Sequence, residues 1–271
     1  VGHGGLLTNG TGRKKLRAKR GLVPRPGLAR NHGGAIVRFV FVPRLFLILL
    51  LSALSVRAQS NRELARDEFD ADLHQWAVEQ MPGGTVAVRD GALVIEDAAG
   101  CTVWFRQKLT APVEISYEIT VVSAGGPHDR VSDVNCFWMA QDPRPPSSPP
   151  FAAGHARTGK FADYDSLLTY YVGYGGNTNS TTRFRRYDGT VVRPLLPEHD
   201  LSDKKFLLTP NQTYRIRLVA RDGLAEYWRD AEKIFSFRDP APLTSGWFAF
   251  RTVSSHLVIR HFRVALSPAS P

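Results

Sequence analysis

The densest concentration of groups able to recognise or transform a polar ligand is the segment Tyr170-Tyr-Val-Gly-Tyr-Gly-Gly-Asn-Thr-Asn-Ser-Thr-Thr-Arg-Phe-Arg-Arg-Tyr-Asp-Gly189. Its tyrosines can stack on sugar faces, and its asparagines and arginines can make forked hydrogen bonds to hydroxyls and carboxylates. Arg183, Arg185 and Arg186 fall so close together that at least one face of the segment must meet water, carboxylates or an anionic ligand. Two readings fit: a solvated strand whose arginines pair with Asp and Glu, or a sugar-binding sheet. The run Gly173-Tyr-Gly-Gly176 lacks the Gly-Lys-Ser/Thr ending and the following helix of a phosphate loop.

Proton abstraction next to a uronate carboxylate requires a base such as Tyr or His, and Arg or Asn groups to hold the charge on that carboxylate. His256, Tyr171, Tyr174 and His261 are candidate bases. His256, at the end of Arg251-Thr-Val-Ser-Ser-His256, and Tyr171 are preferred as catalytic, with Arg185 as charge stabiliser. Asn135, Tyr174, Asn177, Arg183, Arg251 and Trp138 are assigned to substrate binding. Trp138 and Trp247 read as sugar platforms or, more often for a Trp in a sandwich strand, as core residues, and Lys160 as a groove rim or, more commonly, a solvated lysine. His74, His128, His155 and His199 read as surface residues. The Glu-x-Asp-x-x-Glu string of retaining glucanases is absent, and Glu114 and Glu118 stand about 13 Å apart along a strand, beyond the spacing that retention needs. No metal or other cofactor is expected: there is no Cys-x-x-Cys and no His-Glu-x-x-His, and only Asp163 and Asp165, either side of Tyr164, offer a weak structural Ca²⁺ pair.

These groups need a rigid frame, and the punctuation of the chain supplies one. Alternating apolar runs recur at residues 85–89, 92–96, 102–109, 113–122, 132–140, 167–174, 181–187, 213–220, 225–229, 232–237, 246–251 and 257–265, with an Asp90-Gly91 hairpin signal. Within 113–121, Val113, Ile115, Tyr117, Ile119 and Val121 share one face. Residues 61–80 read as a polar opening with one helical turn. The proline-rich stretch 141–166 reads as a long loop that covers or rims a site. About twelve short strands with hardly any helix predict an all-β, two-sheet antiparallel β-sandwich.

Charge excludes one class of partner. Of 35 Lys and Arg, eleven lie in residues 1–58, which contain no Asp or Glu; the other 24 face 25 acidic residues, so the body has no electrostatic footprint for nucleic acid. Residues 36–58 carry a basic flank, the apolar run Leu45–Leu51 and small residues ending at Ala58, the layout of a secretory signal peptide. The reading is therefore a leader over 1–58 and a single sandwich domain over 59–271, secreted or periplasmic, with no stable membrane span after signal removal. The first residue is Val, which fits an alternative start at Val1 or at Val37, the latter leaving 1–36 untranslated. Cys101 and Cys136 admit either a disulfide or two buried thiols.

The strings Asp133-Val-Asn-Cys-Phe-Trp-Met-Ala-Gln-Asp-Pro143, Gly159-Lys-Phe-Ala-Asp-Tyr-Asp165, Tyr170–Gly189 and Gly246-Trp-Phe-Ala-Phe-Arg-Thr-Val-Ser-Ser-His256 resemble a bacterial family of unknown function. That family is similar to the YesU-like proteins of pectin-utilisation loci and belongs with the concanavalin A-like lectin/glucanase sandwiches. The likeness covers nearly all of residues 65–266 and implies a jelly roll that engages extracellular polysaccharide. The leading expectation is a lyase-like step on a uronate-containing glycan. A non-catalytic carbohydrate-binding module, a glycoside hydrolase with carboxylates from separate strands, and a structural envelope protein are the alternatives.

Overall fold

The computed structural model describes residues 62–144 and 148–268. The expected leader lies outside the described residues. Among those described, no helix is long and apolar enough to cross a membrane.

Sixteen strands among the described residues form two antiparallel sheets. The first contains β1 (Glu63–Asp67), β3 (Thr85–Arg89), β4 (Ala92–Glu96), β7 (Val113–Val121), β12 (Thr213–Arg221), β13 (Leu224–Arg229), β14 (Glu232–Arg238) and β16 (His256–Leu266). Its order is β14-β13-β12-β7-β16-β4-β3, with β1 also on β16. The second contains β2 (Trp76–Gln80), β5 (Cys101–Phe105), β6 (Leu109–Thr110), β8 (Val134–Gln141), β9 (Leu168–Gly175), β10 (Thr181–Asp188), β11 (Asp200–Leu201) and β15 (Ser245–Thr252). Its order is β11-β10-β9-β8-β15-β5-β2, with β6 also on β15. The all-β sandwich read from the sequence is the observed architecture. Residues 61–80 depart from expectation, since they supply β1 and β2 rather than a helical turn. Each pairs with a strand distant in sequence, β16 and β5, so no local pattern announces them.

Alternation explains the packing. On β7 the five apolar residues face the core and are buried, while Glu114 and Glu118 on the other face pair with Arg217 and Arg215 of β12 at 3.2 and 3.0 Å. Asp90 and Gly91, both at positive φ, make the two-residue hairpin between β3 and β4, with Arg89 opposite Ala92. Between the sheets, Trp76, Phe105, Phe248, Phe250 and Phe262 form a continuous aromatic cluster. Cys101 and Cys136 are free and buried, and burial pushes the Cys136 thiol up to about 12. They pair with Thr252 and Phe250 from opposite sides of β15, so two strand spacings, about 10 Å, separate them, too far for a disulfide.

The second sheet is covered on its outer face as well. Trp104, Phe137, Tyr164, Leu167, Tyr171 and Tyr187 belong to a smaller apolar cluster there, roofed by residues 148–167. A buried arginine holds the roof down. Arg157 donates from its backbone N–H to Glu79 Oε1 (2.7 Å), from Nε to the Asp163 carbonyl (2.8 Å), from Nη1 to the Pro150 carbonyl (2.6 Å) and from Nη2 to Asp142 Oδ2 (2.6 Å). Glu79 also accepts from Trp104 Nε1 (2.8 Å) and the Tyr164 hydroxyl (2.9 Å). Burial alone would raise the Asp142 carboxyl, but the Arg144 and Arg157 guanidiniums hold it far below the usual range.

The two strands at the centre of this sheet, β8 and β15, meet at a bulge where Met139 takes positive φ and the register shifts on both strands. Gly246 lies against it: a Cβ there would come within 2.2 Å of the Met139 carbonyl carbon. Gly246→Ala should therefore cost about 3 kcal/mol through overpacking of backbone on backbone, read as a lower urea midpoint at unchanged slope.

Candidate functional site

Strand β10 carries the central motif with strict alternation. Arg183, Arg185 and Tyr187 point to the outer face of the second sheet, while Phe184 faces inward. Cross-strand pairing sets them in rows: Arg251–Asn135–Gly173–Arg183 runs across β15, β8, β9 and β10, and Phe137–Tyr171–Arg185 runs beside it. Gly173 leaves room in the first row, because a Cβ there would lie 2.9 Å from the Tyr171 hydroxyl, so the phenol reclines over it. The β9–β10 turn, Gly176–Asn179, places Asn177, Thr178 and Asn179 in the left-handed region. Such backbone costs about 1–3 kcal/mol per residue. Asn179 anchors the turn by accepting from the Leu208 N–H (2.8 Å) and donating to its carbonyl (2.9 Å).

These elements enclose a cavity of about 230 Å³. Five of the expected residues line it: Asn135, Tyr171, Asn177, Arg183 and Arg185. Asp133, Phe161, Tyr187 and Arg193 join them. Phe161 begins a short 3-10 turn (Phe161–Tyr164) in the roof loop, and its ring lies between the guanidiniums of Arg193 (4.6 Å) and Arg251 (5.2 Å).

Charge in the cavity is nearly balanced. Arg183 makes a forked pair with Asp200 (2.7 and 3.0 Å), which pulls that carboxyl down; Arg193 pairs with Asp165 (2.9 Å) and Asp133 with Arg130 (3.0 Å). Arg185 is the exception. Its Nη1 donates to the carbonyls of Arg193 and Pro194, and no carboxylate among the described residues pairs with it. Burial lowers its pKa, but a guanidinium keeps its charge at any ordinary pH. Two neutral groups are left over as well: Asn135 Oδ1 and the Tyr187 hydroxyl are buried without a hydrogen-bond partner. Turning the Asn135 amide over does not help, because its Nδ2 now donates to Asp133 Oδ1 (3.3 Å) and the flip would set oxygen against oxygen.

Four expected residues lie elsewhere. His256 opens β16 in the other sheet, where its Nδ1 meets Asp129 Oδ1 at 2.8 Å; it does not line the cavity. Trp138 is wholly buried between the sheets against Tyr170 and Phe184, a core residue rather than a sugar platform. Tyr174 faces the same core, packs on Tyr214, and accepts from Arg229 (3.2 Å). Arg251 points outward but lies sealed beneath Phe161 and Tyr164, donating to the Gly159 carbonyl (2.5 Å) and Thr102, with Nε and Nη2 unpartnered. His261 pairs with Glu68 (2.8 Å), and Trp247 packs in the outer cluster. Asp163 accepts from Thr158 (2.6 Å), so the two aspartates suggested for Ca²⁺ serve different partners, and no group of three or more metal-ligating side chains occurs among the described residues. His199, read as a surface residue, is buried.

Burial pushes the Tyr171 phenol well above its ordinary range, with Tyr187 adding to the shift, and raises Tyr187 likewise. Both therefore stand at neutral pH as O–H groups able to donate. The cavity presents a fixed cation, the Tyr171 phenol, the exposed Asn177 amide and one lining carboxylate, Asp133, already engaged.

A family profile matches residues 95–262, a span that contains every residue of the cavity. The chain belongs to the family described as a domain of unknown function, DUF6250. No curated protein matches it. Among solved structures it is similar to a protein of unknown function with a galectin-like fold from Bacillus subtilis, at 19% identity and a TM-score of 0.60, covering 76% of this chain and 96% of that one. It is also similar to a structure from the endo-acting O-glycanases by which human gut microbiota initiate mucin breakdown, at 10% identity and a TM-score of 0.50, covering 76% and 100%. At such identities the likeness is one of fold.

Two outcomes follow from the geometry. Tyr187→Phe removes a buried hydroxyl that lacks a partner, so it should leave the urea midpoint unchanged or raise stability by up to about 1 kcal/mol, whereas Asn135→Leu also deletes the bond to Asp133 and should lower the midpoint. The His256 neighbourhood should behave as structure: the Gly126 and Ala124 N–H groups hold the Asp129 carboxyl down to about 2. The stability it confers is complete above the unfolded value near 4 and is lost as pH falls through about 2, a step that Asp129→Asn should delete from an acid-unfolding curve.

Proposed function

We propose that this DUF6250 domain is a carbohydrate-binding module whose outer-face cavity holds one acidic sugar residue, a uronate or similar carboxylate-bearing pyranose. Arg185 carries the reading. A half-buried guanidinium that lines a cavity and has no carboxylate partner is a charge that an acidic ligand would complete. A carboxylate on the ligand would meet the free edge of Arg185; ring hydroxyls would meet the Tyr171 O–H and the Asn177 amide; Phe161 would offer an apolar face. The volume is below the roughly 300–1,000 Å³ of drug-sized sites, which suits a single residue of a chain. The galectin-like fold, the O-glycanase neighbour and the resemblance to YesU-like proteins of pectin-utilisation loci support a glycan ligand. The signal-peptide layout of residues 36–58 supports a place outside the cytoplasm.

Binding is preferred to elimination or hydrolysis because the parts for chemistry are dispersed. The favoured histidine is in the other sheet, the phenols are held protonated, and Asp133 has no second carboxylate in the cavity.

Calorimetry with the full chain should register galacturonate or glucuronate oligosaccharides and not their neutral counterparts, with affinity flat from pH 6 to 9. Arg185→Ala should weaken binding by about 30-fold or more, and Arg185→Lys by less, since it keeps the charge but not the fork. Unsaturated sugar products appearing in the same mixtures, or equal affinity for neutral oligosaccharides, would overturn the proposal.

A further inference from the structure

The polar row that floors the cavity continues beyond it. Thr102 pairs with Arg251 and Glu79 with Thr102, so Glu79–Thr102–Arg251–Asn135–Gly173–Arg183 runs across β2, β5, β15, β8, β9 and β10. Asn135, Gly173 and Arg183 line the cavity, while Glu79, Thr102 and Arg251 are buried beneath the roof beside it.

The two charged members of the buried half do not touch. Glu79 accepts from the Arg157 backbone N–H (2.7 Å), Trp104 Nε1 (2.8 Å) and the Tyr164 hydroxyl (2.9 Å), all uncharged donors. Asp97, the other buried carboxylate on this side, accepts from the backbone N–H groups of Gly100 (3.0 Å) and Ser254 (2.9 Å). Arg251 is wholly buried, and no carboxylate among the described residues pairs with it; Thr102 and the Gly159 carbonyl are its partners, and Nε and Nη2 have none. Its positive charge is therefore not cancelled by contact, in a place that water does not screen.

A single ring stands between that charge and the cavity. The Arg251 guanidinium is 5.2 Å from the centroid of Phe161, and Phe161 lines the cavity beside Tyr171 (5.8 Å between rings). A ligand atom in contact with the cavity side of the ring, about 4 Å further on, stands roughly 9 Å from the guanidinium.

We propose that Arg251 is a specificity-determining residue of the acidic-sugar site, a buried cation that attracts the ligand's carboxylate through the Phe161 ring without touching it, with Glu79 as the opposite end of the same row, turned away from the ligand. The inference rests on the reading of the cavity as an acidic-sugar site. Arg185 makes the direct contact and fixes where the carboxylate sits; Arg251 raises the positive potential at that place. The charge is felt across the wall: burial raises the Tyr171 and Tyr187 phenols, and Arg251 is among the cations that oppose the rise at both.

The test compares Arg251→Met, Arg251→Lys and Glu79→Gln in the full chain, by urea unfolding and by calorimetry with galacturonate and glucuronate oligosaccharides. Both Arg251 variants disturb the bonds to Thr102 and Gly159, and both should lower the urea midpoint. Only loss of the charge should reach the ligand. Arg251→Met should weaken binding by about tenfold, the size expected of one unit charge at roughly 9 Å and an effective dielectric of about 20, and Arg251→Lys by less than about threefold. Glu79→Gln removes the more distant, negative end and should tighten binding by about threefold. Equal weakening by Met and Lys at position 251 assigns Arg251 to holding the roof and overturns the proposal, as does an Arg251→Met chain that binds like the unaltered one. Where Arg251→Met fails to fold, unchanged or weakened binding by Glu79→Gln overturns it instead. Each of these results leaves the acidic-sugar reading in place, since the unaltered chain still binds. An unaltered chain that binds no uronate oligosaccharide overturns both.

Discussion

The outer face of the second sheet depends on Arg157. A strand sheet with one apolar face would normally leave its other side to water, but Phe137, Tyr171 and Tyr187 make this outer face apolar too, and it requires a roof. The roof is irregular chain, which cannot satisfy its own backbone groups, and Arg157 does so for it by spanning Pro150, Asp163, Asp142 and Glu79. With its side chain only 3% exposed and its carboxylate partner Asp142 fully buried, the arrangement has excellent geometry and no spare polar atom, the condition under which a buried ion pair specifies structure. Phe161 and Asp165 owe their positions to it. Through Asp165 so does Arg193, and through the Arg193 carbonyl, Arg185.

The cavity thus has two kinds of wall. One is sheet, whose rows are fixed by hydrogen-bonded register from Arg251 to Arg183. The other is loop, fixed by a handful of ionic and cation–π contacts. The sheet wall supplies the ligand-facing polar atoms and the loop wall supplies the cover, a division that keeps the recognition geometry rigid while allowing the cover to vary in sequence.

How much of this was legible in the sequence follows the same division. Period-two alternation along 181–187 separates Arg183, Arg185 and Tyr187 from Phe184, and the long proline-rich segment reads as a cover. Parity also held information that went unused: Tyr174 is three residues from Tyr171, and Trp138 three from Asn135, odd separations that send the two members of each pair to opposite faces of one strand. His256 misled for a different reason. The run from Arg251 to His256 is continuous in sequence, yet the chain leaves the second sheet after Thr252 and enters the first at His256, so adjacency in the string becomes separation in space. Phe161 and Arg193 have no periodic signal, because their positions come from contacts such as Asp165 with Arg193, 28 residues apart; Asp133, two residues before Asn135 in the expected 132–140 run, is legible by the same parity. β1 and β2 were missed on the same grounds: their partners are β16 and β5.

The two unbridged thiols have a consequence for biogenesis. With β15 running between Cys101 and Cys136, no covalent cross-link contributes to the fold, and everything that closes the sandwich is burial and hydrogen bonding. Thiols pushed this far toward the protonated form and shielded from solvent are poor nucleophiles. The folded domain accordingly holds no disulfide for a reductant to break, and needs no thiol oxidation to reach its native state.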